Sequence, residues 1–406
     1  MRKALFILAS LFAGLLIGIA AKGAAPVWRE AADSIGTMWL NGLRMTVVPL
    51  IISLLIVGIV QTATAASAGK LAARGVALMI ALLWLSSALA AILFPAIVAF
   101  FPIPTEAALA LRGALSHSIV PGTVPPFSEF LKAIIPTNPV AAAADDAILP
   151  LIIFVLIFAF AVVRLPDAQR ATIAGFFEAT ANAMIMVVHW VLWLAPLGVF
   201  ALAFKLGQTA GMAAFGALAH YVAVLVAIGG ALWISSFVLA TLGARLNPVA
   251  FFRATIPAQA VAISTQSSLA SLPAMLEGVD RLGIRRPVSE VMLPIAVALF
   301  RVTGPAMNLG VALYIAHWLG IELSAWQIAL GAAAAAITTM GAVSLPGAIS
   351  FIGSIAPICL VMGLPIEPLG LLIAIEAFPD IMRTLANVTM DMAVTATIDR
   401  RATKTL

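Results

Sequence analysis

Apolar stretches long enough to cross a bilayer, about 20 residues each, recur from one end of this chain to the other. They read as helices at about 4–21, 34–64, 70–101, 138–164, 168–205, 213–243, 287–319 and 364–397. In lipid every backbone N–H and C=O needs a partner within the chain, which such runs satisfy as helices. A transmembrane β-barrel would show short alternating segments instead. Of the 406 residues 63% are hydrophobic and 10% charged, where a soluble domain carries roughly 25% charged. The expected fold class is an all-α polytopic membrane protein. The net charge of +5 points to no nucleic acid, because the basic residues sit at helix ends. The single cysteine, Cys359, cannot form an intrachain disulfide. The first apolar run, after Met1-Arg2-Lys3, could pass for a signal peptide, but the many spans that follow make it the first membrane helix.

Two further apolar segments, about 247–283 and 323–362, are interrupted by Pro, Ser and Gly. One contains Thr265-Gln266-Ser267-Ser268-Leu269-Ala270-Ser271-Leu272-Pro273, the other Thr339-Met340-Gly341-Ala342-Val343-Ser344-Leu345-Pro346-Gly347. Both carry a small polar run ending in Ser-Leu-Pro, and each is followed by a full helix. Paired broken elements point to an internal repeat and a midplane binding site. Their Ser-Leu-Pro runs, Ser271–Pro273 and Ser344–Pro346, are expected at the two tips. The alternative for each is a proline-kinked packing helix. If both segments enter and leave on one side, the N-terminus, Lys70/Arg74, Arg164/Arg170, Arg245/Arg253, Arg281/Arg285/Arg286 and Arg400/Arg401/Lys404 share one face. Most basic residues then lie on that face, which the positive-inside rule makes cytoplasmic.

The last apolar segment holds Glu376, Asp380, Arg383, Asn387 and Asp391, at spacings of four, three, four and four. On a helix they fall within an arc of roughly 80°. Ionisable groups there could each cost about 2.5–3.5 kcal/mol against lipid, so they face a polar interior and mark a pathway or site. The alternative is an internally neutralised packing network.

The run Asp380-Ile381-Met382-Arg383-Thr384-Leu385-Ala386-Asn387-Val388-Thr389-Met390-Asp391 resembles the last-helix motif of the dicarboxylate/amino acid:cation symporters, the family of glutamate transporters and archaeal aspartate transporters. Ser267-Ser268 before Leu272-Pro273 resembles that family's first hairpin; Gly341 and Leu345-Pro346-Gly347 resemble its second. "LRMTVVPLIISLLIVG" and "PTNPVAAAADDAILPLIIF" resemble its second and fourth helices. The resemblance implies eight transmembrane helices plus two re-entrant hairpins, inverted repeats, an elevator-type transporter and a homotrimer. It implies scaffold parts at 1–69 and 102–212, and transport parts at 70–101 and 213–406. Arg383 would bind an acidic side-chain carboxylate, Asp380 the amino group, and Asn387 and Ser268 the α-carboxylate. Thr384 would support the amino end, with Ser267, Gly341 and Leu345 at the hairpin tips. Non-aminated dicarboxylate carriers of the family do not keep the aspartate at position 380, which favours aspartate or glutamate as substrate. No cofactor or resident metal is expected. The implied location is a bacterial inner membrane, with cytoplasmic termini.

One motif departs from the family. The seventh-helix Asn-Met-Asp-Gly-Thr falls on Phe300-Arg301-Val302-Thr303-Gly304. Phe300 and Val302 have no side-chain oxygen for sodium; Ser86 and Ser87 of the third helix keep hydroxyls, and Ala342 replaces a threonine. Arg301 is therefore expected to supply, beside Asp391, the positive charge that sodium supplies in relatives. Its alternatives are an ion pair with Glu376 or Asp380, or contact with the substrate. Glu376 is the better proton-carrying candidate; His317 and His189 read as interfacial or packing histidines. Asp145-Asp146 are expected at a solvated loop or helix break, and Trp28, Trp39, Trp318 and Trp326 as interfacial anchors. The competing functions are a proton-coupled carrier of C4-dicarboxylates or other amino acids on the same fold, and an anion channel or transport-dead sensor. An enzyme is not expected, since four scattered histidines and one cysteine form no nucleophile–base pair or metal cluster.

Overall fold

A computed structural model describes residues 2–21, 26–103, 135–145, 147–341 and 347–403. In chain order the helices are α1 (Arg2–Ala20), α2 (Pro26–Arg44), α3 (Val47–Ser67), α4 (Lys70–Phe100), α5 (Pro139–Ala144), α6 (Ile148–Val163), α7 (Asp167–Trp193), α8 (Ala195–Ala210) and α9 (Ala213–Leu242). They continue as α10 (Pro248–Thr265), α11 (Ser268–Arg281), α12 (Arg286–Leu299), α13 (Thr303–Leu319), α14 (Ala325–Gly341), α15 (Gly347–Val361), α16 (Leu369–Leu372) and α17 (Ala377–Thr403). Among the described residues there is no strand. Helical stretches at 27–67, 70–100, 167–193, 213–242 and 286–319 are long and apolar enough to cross a membrane. The all-helical, multi-pass class read from the sequence is the class observed.

Several expected single helices are broken, and proline explains where. Pro49, Pro196 and Pro305 stand in the first turns of α3, α8 and α13. None has an N–H to return to the carbonyl four residues back, so the preceding helix stops just upstream. Proline is tolerated in the first turn itself. The breaks fall at Met45-Thr46, Leu194 and Phe300–Val302. Asn247 and Asn138 start α10 and α5 the same way. Each side-chain oxygen accepts from the N–H groups two and three residues on, at 2.9 and 3.2 Å. Asp145 lies exposed in the break between α5 and α6; Asp146 lies outside the described residues.

Both interrupted segments form helical hairpins, α10 with α11 and α14 with α15. In the first, the arms approach so closely that a Cβ on Gly278 would stand 2.5 Å from the Ala254 carbonyl oxygen. Its tip corrects the expectation: the chain turns at Gln266-Ser267, with Gln266 at φ 52°, and Ser271–Pro273 lies inside α11. Ser267 is the N-cap that starts α11, accepting from the Ala270 N–H at 3.2 Å, so the reversal is complete before Ser271. The second expected tip, Ser344–Pro346 with Leu345, lies outside the described residues. Two tryptophans are also corrected. Trp28 and Trp326 are exposed, but Trp39 and Trp318 are buried, Trp39 donating to the Val191 carbonyl at 3.0 Å.

Candidate functional site

The polar stripe faces inward, and α17 starts later than expected. Glu376 sits in the turn ahead of the helix, not on it. Its carbonyl accepts from the Asp380 N–H at 2.9 Å, so it still leads the stripe. Glu376, Thr384 and Asn387 are each at most 6% exposed, and Asp391 is fully buried.

Arg383 is the hub. Its Nη2 donates to Glu376 Oε1 at 2.8 Å, its Nη1 donates to Asn308 Oδ1 at 2.9 Å, and its Nε lies 3.5 Å from Asp380 Oδ1. The Tyr221 hydroxyl of α9 donates to Glu376 Oε2 at 3.3 Å. One cation thus faces two carboxylates and an amide, which is how a charge is kept in a medium that solvates it poorly. Thr384 donates back to the Asp380 carbonyl at 2.9 Å, leaving only its oxygen lone pairs for another partner.

Asn387 performs a second task. Its Oδ1 accepts from the Thr303 N–H at 3.0 Å and from the Thr303 hydroxyl at 2.9 Å, closing the N-terminus of α13. Among the described residues its amide NH₂ meets no acceptor. Next to it, a Cβ on Gly304 would meet Thr339 Cγ2 at 2.6 Å. The side chain of Thr339, on the first arm of the second hairpin, thus occupies the space beside Gly304.

Arg301 lies in the break between α12 and α13 and is half-buried. Among the described residues its side chain forms no hydrogen bond and no ion pair within 4.0 Å. The charges close enough to act on it are Asp380, Arg383 and Asp391. The direct salt bridge to Glu376 or Asp380 weighed from sequence is thus not formed. Both carboxylate oxygens of Asp391 lack a hydrogen-bond partner among the described residues. Ser86 donates to the Leu83 carbonyl at 3.0 Å and Ser87 to the Ala332 carbonyl at 2.6 Å, so both hydroxyl protons are committed to backbone.

The first hairpin reaches the stripe by its tip and one arm. Gln266 Nε2 donates to the Ala377 carbonyl at 3.1 Å, and Gln259 Nε2 to the Thr389 hydroxyl at 3.1 Å. Ser268 is half-buried at the start of α11, and among the described residues its hydroxyl makes no hydrogen bond to α17. Gly341 closes α14. The sequence reading missed Asn308, Tyr221 and Thr303. The signal was present for Asn308, the one amide in the mainly apolar 303–319 stretch.

A multi-pass helical membrane protein that buries a charge cluster on a helix packed against a helical hairpin has the features of a transporter. Residues 4–401 match the sodium:dicarboxylate symporter family, and the chain belongs to it. The proton/sodium-glutamate symport protein of Bacillus subtilis is 25% identical over 94% of this chain and 89% of its own length. The proton/glutamate-aspartate symporter of Escherichia coli is 27% identical over 87% of this chain and 81% of its own. The C4-dicarboxylate transport protein of Rhizobium johnstonii is 27% identical over 97% and 87%. The chain is thus a dicarboxylate/amino acid symporter in the broad sense.

Proposed function

We propose that the protein carries acidic amino acids, aspartate or glutamate, across a bacterial inner membrane without sodium. The observation that carries this is Arg383 facing Asp380 on one side and Glu376 on the other. An arginine reads a carboxylate in a bidentate fork, and a carboxylate three residues away reads an ammonium. An incoming substrate carboxylate would take Arg383 from Glu376, while its amino group takes Asp380. Asn387, with its amide donors free, and Ser268 hold the α-carboxylate. Thr384 supports the amino end, and Ser267, Gly341 and Leu345 close over the substrate at the hairpin tips.

Sodium independence rests on Arg301. Phe300 and Val302 are buried and offer no side-chain oxygen, and Ser86 and Ser87 leave only the lone pairs of two neutral hydroxyls, a poor cation site on their own. A guanidinium, charged at any accessible pH, supplies the positive charge that Asp391 needs.

Transport is an elevator movement of residues 70–101 and 213–406 against a trimeric scaffold of 1–69 and 102–212, with both termini cytoplasmic. The trimer is supported by α7. Glu178, Asn182 and His189 lie within about 40° on this apolar helix and are exposed in the single chain. Lipid would penalise them, and a neighbouring copy would cover them.

A second reading is a proton-coupled C4-dicarboxylate carrier. Arg301 acts on the charge beside Arg383, and two cations suit two carboxylates. The test is uptake of labelled aspartate and of labelled succinate by the purified chain in liposomes, with and without sodium and with and without a proton gradient. Sodium-free aspartate uptake supports the first reading; uptake of succinate alone selects the second.

A further inference from the structure

His220, a buried histidine outside the substrate residues, lies one position before Tyr221 on α9 and is 4% exposed. Its Nε2 is 2.7 Å from the Phe101 carbonyl, at the end of α4. A carbonyl only accepts, so Nε2 carries a hydrogen. Its Nδ1 is 3.0 Å from the Tyr314 hydroxyl of α13, which is also 2.9 Å from the Ala217 carbonyl. The tyrosine has one proton to give. Given to Nδ1, it leaves the imidazole neutral. Given to Ala217, it turns an oxygen lone pair toward Nδ1, which then holds its own proton. Both protonation states satisfy every donor, and one hydroxyl rotation separates them.

We propose that His220 is a proton-binding site of the carrier and that its proton accompanies the acidic substrate; the second half rests on the function proposed above. The route to the substrate residues is short. The Tyr221 ring meets the Tyr314 ring edge-on at 5.2 Å, and the Tyr221 hydroxyl bonds Glu376, which pairs with Arg383. A substrate that takes Arg383 from Glu376 leaves net negative charge facing this pair of tyrosines. That charge favours the imidazolium by Coulomb attraction, so proton and anion bind cooperatively. Just past the end of α4 the Phe101 ring stacks on the imidazole at 4.8 Å. The titratable or charged groups linked to His220 are Tyr314 and, one turn on, His317 from α13; Tyr221 from its own helix; Glu376 in the turn ahead of α17; and, through Glu376, Arg383 and Asp380 from the start of α17.

Nitrogen-15 histidine NMR of the full chain in nanodiscs reads the site directly, with or without substrate. His220 is assigned by H220Q, whose amide can replace both hydrogen bonds but cannot be protonated. If H220Q does not fold, the combined H117Q, H189Q and H317Q variant leaves His220 as the only histidine. The expected result is an Nδ1 that binds a proton, more fully with aspartate present than without it. An imidazole that stays neutral with and without aspartate overturns the site. Aspartate affinity in the wild type should rise about fivefold or more from pH 8 to pH 5.5 and stay flat in H220Q. H220Q should exchange aspartate across liposomes but not accumulate it on a proton gradient. Gradient-driven accumulation by H220Q equal to wild type overturns the coupling. If aspartate does not bind wild type at any pH, the substrate reading fails and the NMR titration alone decides the proton site.

Discussion

Arg383 and Arg301 act on the same polar interior, yet they are held in opposite ways. Arg383 spends its nitrogens on Glu376, Asn308 and Asp380 at 2.8–3.5 Å. Arg301 has no such contact among the described residues and acts on Asp380 and Asp391 at longer range. The carboxylate nearest in role to each differs in step: among the described residues Glu376 is bonded on both oxygens, Asp391 on neither. In the proposed function the first cation is prepaired and exchanges a protein carboxylate for a ligand's. The second is there a standing charge that balances a buried aspartate without bonding to it. Position in the fold explains the contrast, since Arg383 is in the first turns of a helix with its partners at helical spacing. Arg301 is in a helix break, where Pro305 and an extended Phe300 set the backbone.

The sharpest way to break this comparison is Arg383→Ala. It leaves Glu376 and Asp380 without their cation, and removing one partner of a buried pair costs about 3–5 kcal/mol. Acidic substrates should lose more than about a hundredfold in affinity, as isothermal titration would measure; unchanged aspartate affinity would remove the site assignment. Arg301→Met should cost a similar amount in sodium-free buffer. Adding Asp391→Asn should recover part of it, with a coupling of about 0.5–3 kcal/mol in a double-mutant cycle of binding. Strict additivity would mean that the two charges do not act on each other.

Asp380→Asn separates the substrates. Losing a charged hydrogen-bond partner costs about 1.5–3 kcal/mol, and competition assays should show that loss for aspartate and not for succinate. Equal losses would take the amino-group role from Asp380. The smallest effect belongs to Asn308→Ala, which removes one neutral acceptor from Arg383. About 1 kcal/mol should appear as a several-fold weaker aspartate affinity with the Glu376 pair intact. A loss as large as that of Arg383→Ala would make Asn308, not the carboxylates, the group that positions the guanidinium.

The helical class, the two hairpins and the inward polar stripe were legible from the sequence because each has a periodic or compositional cause. Apolar run length marks spans, and spacings of three and four put Asp380, Arg383, Asn387 and Asp391 on one face. The helix breaks were less legible, although Pro49, Pro196 and Pro305 each mark one, since a proline in an apolar run either kinks a helix or starts a new one. The first tip was misplaced because Ser-Leu-Pro resembles a stop signal. An N-cap such as Ser267 ends the turn several residues earlier, and Pro273 is then absorbed inside α11. Asn308, Tyr221 and His220 were missed for another reason. Each lies in a mainly apolar helix without a repeating polar pattern, and its partner is 75, 155 or 94 positions away. Only the packing of α9, α13 and α17 brings such pairs together.

The central claim is that Arg301 does the work of a bound cation. Equilibrium binding of labelled aspartate to the wild-type chain, measured in sodium, potassium and choline chloride at constant ionic strength, tests it most directly. The account predicts one affinity in all three salts, and in Arg301→Met an affinity that is weak in choline and recovers with sodium or at lower pH. A wild-type affinity that rises with sodium concentration would contradict it.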